Sequence, residues 1–145
     1  MPISERHLSP ICSPCEISSN RLLAALPAEI IKRWLPDLEH IQLPLGKVLY
    51  EAGGVEHYVY FPTSGIVSLL YVMKNGDAAE IAVIGCEGIV GVSLFLGGNS
   101  TPSSAVVQSA GSCYRLEAKI LKKDFDLFGP VTHVLLRYTQ ALLTQ

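Results

Sequence analysis

Two kinds of hydrophobic spacing divide the chain. From Arg21 to Leu35, and again from Pro130 to Gln145, apolar residues return every three or four positions, as on one face of a helix. Between His40 and Leu116 they come instead in short runs broken by Gly, Pro and Asn. Ahead of both, Met1–Ser19 mixes Pro, Ser, His and charges without any period and reads as a poorly ordered tail. Asn20 suits the N-cap of a short helix over Arg21–Leu26. Pro27 fits the first turn of a second helix, where its missing N–H costs nothing. Leu26, Ile30, Ile31, Trp34 and Leu35 give that helix its apolar face, and Pro36 is expected to end it.

The central runs predict strands over Ile41–Leu45, Lys47–Tyr50, His57–Phe61, Ile66–Met73, Ala78–Ile84, Ala105–Ser109 and Cys113–Leu116. Short strands at close spacing, with turn residues between them, fit a sandwich or barrel. Asn75-Gly76 predicts a type I′ hairpin, because both residues tolerate positive φ. Gly46, Gly53-Gly54 and Gly65 mark further turns. Gly91–Gly98 reads as one short helical turn closed by glycines, and Ala118–Phe125 as a short helix. From Pro130 a helical stripe runs through Val131, Val134, Leu135, Tyr138, Ala141 and Leu142, with Thr132, His133, Arg137, Gln140 and Thr144 opposite. The stripe is still running at Gln145, so the natural protein is expected to continue past it. The fold class expected is mostly β (α+β): a jelly-roll barrel, or double-stranded β-helix, with short N-terminal helices and a long C-terminal one. The expected division is 1–19 tail, 20–129 barrel and 130–145 helix.

Composition narrows the function. A chain of 145 residues suits one domain, and 49% hydrophobic against 17% charged residues excludes a disordered chain. A net charge of −2 is not basic enough to predict a nucleic-acid-binding patch from composition. The longest apolar run, Ile66–Met73, is interrupted by Ser68 and too short to cross a bilayer, and the first twenty residues hold no signal-peptide core. A cytoplasmic protein with no membrane partner is expected, its four cysteines reduced.

Specific segments carry a resemblance. Leu43-Pro-Leu-Gly-Lys-Val-Leu-Tyr-Glu-Ala-Gly53 and Tyr58-Val-Tyr-Phe-Pro-Thr-Ser-Gly65-Ile-Val resemble the first barrel turns of the Crp/Fnr transcription regulators. Glu87-Gly-Ile-Val-Gly-Val-Ser-Leu-Phe-Leu-Gly97 and Ser103-Ser-Ala-Val-Val-Gln108 resemble that family's phosphate-binding cassette. Leu136-Arg-Tyr-Thr-Gln-Ala-Leu-Leu-Thr-Gln145 resembles the start of its dimerisation helix. Over residues 20 to 145 the resemblance implies a cyclic-nucleotide-binding-like sensor barrel. It implies a homodimer through Val131, Val134, Leu135, Tyr138 and Leu142, and DNA contact only through a domain absent from this chain.

It also implies a ligand site at Gly91, Val92, Ser93, Ser103, Ser104 and Ala105. Cyclic-nucleotide binders of the family place an acid after the glycine, for the ribose, and an arginine before the serine, for the phosphate. Here Val92 and Ser103 stand in those places, and no Arg or Lys lies between Asp77 and Tyr114. A buried phosphate needs a cation or several N–H donors. The sequence therefore favours a cassette that only packs the barrel, or one that takes a different and less charged effector. No cofactor is called for.

Other chemistry fares less well. Cys12, Cys15 and Cys113 resemble three of the four cluster cysteines of the Fnr members, but no cysteine lies near Ser18–Arg21 for the fourth, and Cys86 does not match. The glycines Gly85, Gly88 and Gly91 have neither dinucleotide spacing nor a P-loop lysine. His7, His40, His57 and His133 are scattered, without the paired ligands of a cupin metalloenzyme, and His57 with Glu51 is too little for a metal. Tyr58, Tyr60 and Phe61 read as barrel packing. No enzyme is expected. The alternatives are a stand-alone binding module without DNA function and, further off, the cupin-like metalloenzyme.

Overall fold

The computed structural model describes residues 17–95 and 103–143. The chain opens with α1 (Arg21–Ala24), capped as expected by Asn20. The Asn20 side-chain oxygen accepts from the N–H groups of Leu22 (3.0 Å) and Leu23 (3.1 Å). Its amide nitrogen donates to the carbonyls of Pro62 and Gly88, each at 2.8 Å. The cap thus fastens the first helix to two distant loops. Ile17, placed by its composition in the tail, is buried in the core, so the packed region begins before Asn20.

The second helix, α2 (Ala28–Trp34), has Pro27 at its N-cap rather than inside its first turn. Pro36 does not stop the helix outright. It sits within a tight 3-10 turn over Leu35–Asp37 that continues it, a position where a proline costs no hydrogen bond. The strands are β1 (Glu39–Leu43), β2 (Val48–Tyr50), β3 (Tyr58–Pro62), β4 (Ile66–Val72), β5 (Ala78–Ile84), β6 (Ser104–Ser109) and β7 (Gly111–Glu117). Between β5 and β6 lies α3 (Val92–Phe95); α4 (Ala118–Phe125) and α5 (Pro130–Leu143) follow β7. The closing glycines Gly97 and Gly98 lie outside the described residues.

One turn differs from expectation. Gly76 has φ +92°, but Asn75 is not in the left-handed region, so the hairpin is not type I′. Lys74–Gly76 forms a three-residue loop instead: the Gly76 N–H donates to Met73 O (3.0 Å) and the Met73 N–H to Asp77 O (2.8 Å). The Asn75 side chain accepts from the Asp77 N–H at 3.0 Å and so stabilises the turn locally.

All strand pairs are antiparallel, in two sheets of order β1-β7-β3 and β2-β6-β4-β5. This is a jelly-roll arrangement. The sheets share an inner core of Leu43, Tyr50, Tyr60, Val67, Ile84, Val90, Ala105, Val107 and Cys113. The other face of the three-stranded sheet carries Val59, Phe61, Tyr114 and Leu116, and the helices close over it with Leu23, Ile30, Trp34, Leu121, Val131 and Leu135. This explains why β3 is buried almost continuously although its side chains alternate: both of its faces are covered. Asp124 clamps the helical layer, accepting from Trp34 Nε1 at 2.6 Å and from the Arg33 guanidinium.

The C-terminal helix departs from a two-faced stripe. Val131 and Leu135 are buried, but so is Thr132, whose hydroxyl donates to the Phe125 carbonyl, while Leu136 is exposed. No helix among the described residues is long and apolar enough to cross a membrane.

Candidate functional site

The cassette begins in the loop that leaves β5. The Gly88 N–H donates to Gly85 O (3.1 Å), and Glu87 Oε2 accepts from the Gly85 N–H (3.2 Å). Val90 then makes a one-residue bridge with Tyr60 of β3, N–H to carbonyl in both directions, at 3.0 and 2.8 Å. Gly91 follows with φ +111°, and a Cβ there would lie 3.2 Å from Val59 Cγ1. Both the backbone angle and the close approach call for glycine. Val92 and Ser93, half-buried, start the single turn of α3.

The other half of the candidate site opens β6. Ser103, Ser104 and Ala105 are all buried. The Ser104 hydroxyl lies 3.5 Å from the Leu70 carbonyl, a long contact that holds it weakly. Ala105 pairs with Tyr50 on one side and Leu69 on the other. The six residues expected from sequence thus fall at two places beside the inner core, each next to a tyrosine: Val90–Gly91 beside Tyr60, and Ala105 beside Tyr50.

Those tyrosines were read from sequence as packing or passed over. Burial, with Glu56 nearby, pushes the Tyr60 phenol up to about 12, and the same causes push Tyr50 up further. Also missed was Arg115. Alternation along β7 puts it on the same face as Cys113, toward the inner core. Its Nε donates to Glu39 Oε1 at 2.7 Å, its guanidinium carbon sits 4.1 Å from the centre of the Tyr58 ring, and it pairs with Tyr60 across β3 and β7. The one signal available in the sequence was that alternation, which sets a charge at position 115 on the side of β7 that carries Cys113.

The remaining candidates disperse. Cys113 is fully buried and its thiol is pushed up to about 12 by that burial. Cys86 is exposed, and Cys12 and Cys15 lie outside the described residues. Among the described residues no three His, Cys, Asp or Glu side chains are placed to hold a metal. His40 stacks on Tyr114 with ring centres 5.0 Å apart. Of the residues expected at a dimer seam, Val131 and Leu135 are buried in the chain's own helical core, and Val134 and Tyr138 pack partly against it. Leu142 is half-buried.

Residues 40–125 match the family model of the cyclic nucleotide-binding domain. No curated protein matches the chain in sequence. Among solved structures, it is similar to the regulatory subunit of a cAMP-independent protein kinase A from Trypanosoma brucei (TM-score 0.74, 18% identity, 94% of this chain and 48% of that one). The corresponding subunit from Trypanosoma cruzi, bound to guanosine, gives a TM-score of 0.72 at 17% identity over 98% of this chain and 51% of that one. The N-terminal domain of a transcriptional regulator from Streptomyces coelicolor A3(2) gives 0.61 at 24% identity over 89% and 90%. At such identities the likeness shows the fold alone. The chain spans about half the length of the two kinase subunits.

Proposed function

Since the chain belongs to the cyclic nucleotide-binding domain family, we propose that it is the effector-sensing domain of a Crp/Fnr-type transcription regulator, with a cassette that takes an uncharged ligand in place of a cyclic phosphate. Domains of this family are regulatory binding modules, and the reading assigns no catalytic step. The observation that carries it is the charge at the cassette. Val92 and Ser103 occupy the acid and arginine places, and no cation lies between Asp77 and Tyr114. Two hydroxyls cannot replace the charge and bidentate geometry of a guanidinium against a phosphate. The Trypanosoma cruzi subunit bound to guanosine supports the idea that this fold accepts a nucleoside with no phosphate.

The regulator part of the reading rests on α5 and on the Streptomyces coelicolor domain, which this chain matches over nearly its whole length. Val131, Leu135 and Tyr138 seat the helix on the barrel, so a change at the cassette loop is felt along it. In this reading two copies pair through the outer side of α5 about a two-fold axis. Val134, Leu142 and the exposed Leu136 contribute there, while Val131, Leu135 and Tyr138 face the barrel. A separate domain outside residues 1–145 reads the DNA, and the pair of domains meets half-sites about one DNA turn apart.

Gel-shift experiments on the protein expressed from its whole gene test this reading. Sequence-dependent DNA binding by that protein, and none by residues 1–145 at the same low salt, is expected. Tight DNA binding by residues 1–145, or none by the whole protein, would contradict it.

A further inference from the structure

An apolar groove of about 380 Å3 opens on the helical layer and shares no residue with the cassette. Ile17, Leu23 and Leu26 line it from α1 and the chain on either side of that helix, and Ala28, Ile31 and Leu35 line it from α2 and the turn that follows. With Lys32, the last three fall at helical spacing on one face, about 10 Å long at 1.5 Å per residue. Residues 1–16 lie outside the described residues and lead directly into Ile17. We propose that this tail docks in the groove through residues 8–11, with Leu8 and Ile11 as the side chains that fill it.

Three features lead there. The first is reach. Ile17, where the described chain begins, is buried and is itself part of the groove's lining, so the tail enters at the groove. Six residues separate Ile17 from Ile11, at most roughly 20 Å of extended chain and ample for the α2 face. The second is chemistry. Ile3, Leu8 and Ile11 are the branched aliphatic residues of the tail, and two of them flank Pro10. Pro10 biases itself and Ser9 toward extended backbone, so less chain entropy is lost on docking. The third is charge. Lys32 is exposed at the groove, and no carboxylate among the described residues pairs with it, whereas its neighbour Arg33 is held by Asp124. The tail brings Glu5 and Glu16, one on each side of residues 8–11.

A second copy of the chain fits the groove less well. A stable dimer interface buries about 800 Å2 on each partner, and this concavity takes only a few side chains. The tail's position also bears on sensing. The Arg21 N–H donates to Cys86 O at 2.7 Å and the Asn20 amide to Gly88 O at 2.8 Å, so α1 is fastened to the loop that precedes the cassette. A tail seated against α1 braces the same helix that holds that loop.

The test is the rate at which Cys12 forms a disulfide, under diamide, with a thiol placed at the groove by Ala28→Cys. The full chain is used, with Cys15→Ser so that the tail carries a single thiol. Ala28 is exposed, and circular dichroism shows that each variant is folded. Mass spectrometry identifies the link between tryptic peptides 7–21 and 22–32, and a non-reducing gel shows whether it lies within one chain. The link is expected within one chain. Adding Ile11→Ser, which removes the aliphatic group without placing a charge beside Cys12, should slow it by about tenfold, the scale of one buried aliphatic side chain. An unchanged rate with Ile11→Ser would mean that the tail only diffuses past the groove, and would overturn the proposal. A link formed mainly between two chains would give the groove to a second copy, and the absence of any link would place the tail elsewhere; either result overturns it.

Discussion

The ring of Tyr138 lies so close over the α-carbon of Gly88 that a methyl group there would fall 2.7 Å from the ring's Cζ. The Ile89 N–H donates to the same phenol oxygen. One residue of α5 is thereby fitted to the loop that becomes the cassette three residues later. Gly88→Val is expected to unseat Tyr138 and destabilise the fold by about 2 kcal/mol, the range for overfilling a packed contact. Tyr138→Phe keeps the fit, loses one hydrogen bond and should cost about 1 kcal/mol. Urea midpoints at constant slope check both. A Gly88→Val variant as stable as the parent would show that α5 is not held at this point.

Asn20 is both cap and tie. Asn20→Ala removes two accepted and two donated hydrogen bonds from a fully buried position and should cost about 2–3 kcal/mol. The instructive variant is Asn20→Asp. Aspartate caps a helix as well as asparagine does, but it cannot donate to the Pro62 and Gly88 carbonyls and would set a carboxylate against them. Thermal melts should place it no higher than Asn20→Ala. Recovery of parental stability would reduce Asn20 to an ordinary cap.

Titration gives a test at high pH. Tyr60 and Tyr138 are raised from 10.0 to about 12, in each case first by burial, and Cys113 from 9.0 to about 12. A raised native value means that the folded chain holds protons the unfolded chain has released. Stability from these groups is therefore complete below about pH 9 and is lost as pH rises toward about 12. Denaturant unfolding along that range should show the fall, and Tyr60→Phe should make it shallower. In the folded chain at pH 8, Cys86 should react readily with a thiol reagent and Cys113 should not. Equal rates would mean that the barrel interior opens.

Much of the fold was legible because local pattern and tertiary environment agree in it. Ala78–Ile84 and Ala118–Phe125 were bounded to the residue, the strand by the Asn75-Gly76 turn before it and Gly85 after it. Gly46, Gly53 and Gly65 take the positive φ their turns require. Asn75 misled because its side chain makes a local turn of its own, so Gly76 alone supplies the reversed angle. The cassette was half legible. Gly91 shows in sequence because only glycine fits there, but Tyr50, Tyr60 and Arg115 are ordinary residues until the sheets bring them together. The ties from Asn20 span 42 and 68 residues, a separation that no periodicity records. The same holds for Val131 and Leu135: a stripe predicts burial, and only packing decides whether the chain's own core or a second copy covers it.

The choice between a charged and an uncharged ligand rests on Val92 and Ser103. Hydrogen bonds to charged groups contribute about 1.5–3 kcal/mol each, so the absence of both should weaken a cyclic phosphate by roughly a hundredfold to ten-thousandfold. Calorimetric titration of the chain with cyclic AMP measures this directly. A dissociation constant weaker than about 100 μM is expected, a micromolar site reduced by that factor. A low-micromolar constant would mean that backbone donors and the hydroxyls of Ser103 and Ser104 suffice for the phosphate, and the neutral cassette would be wrong.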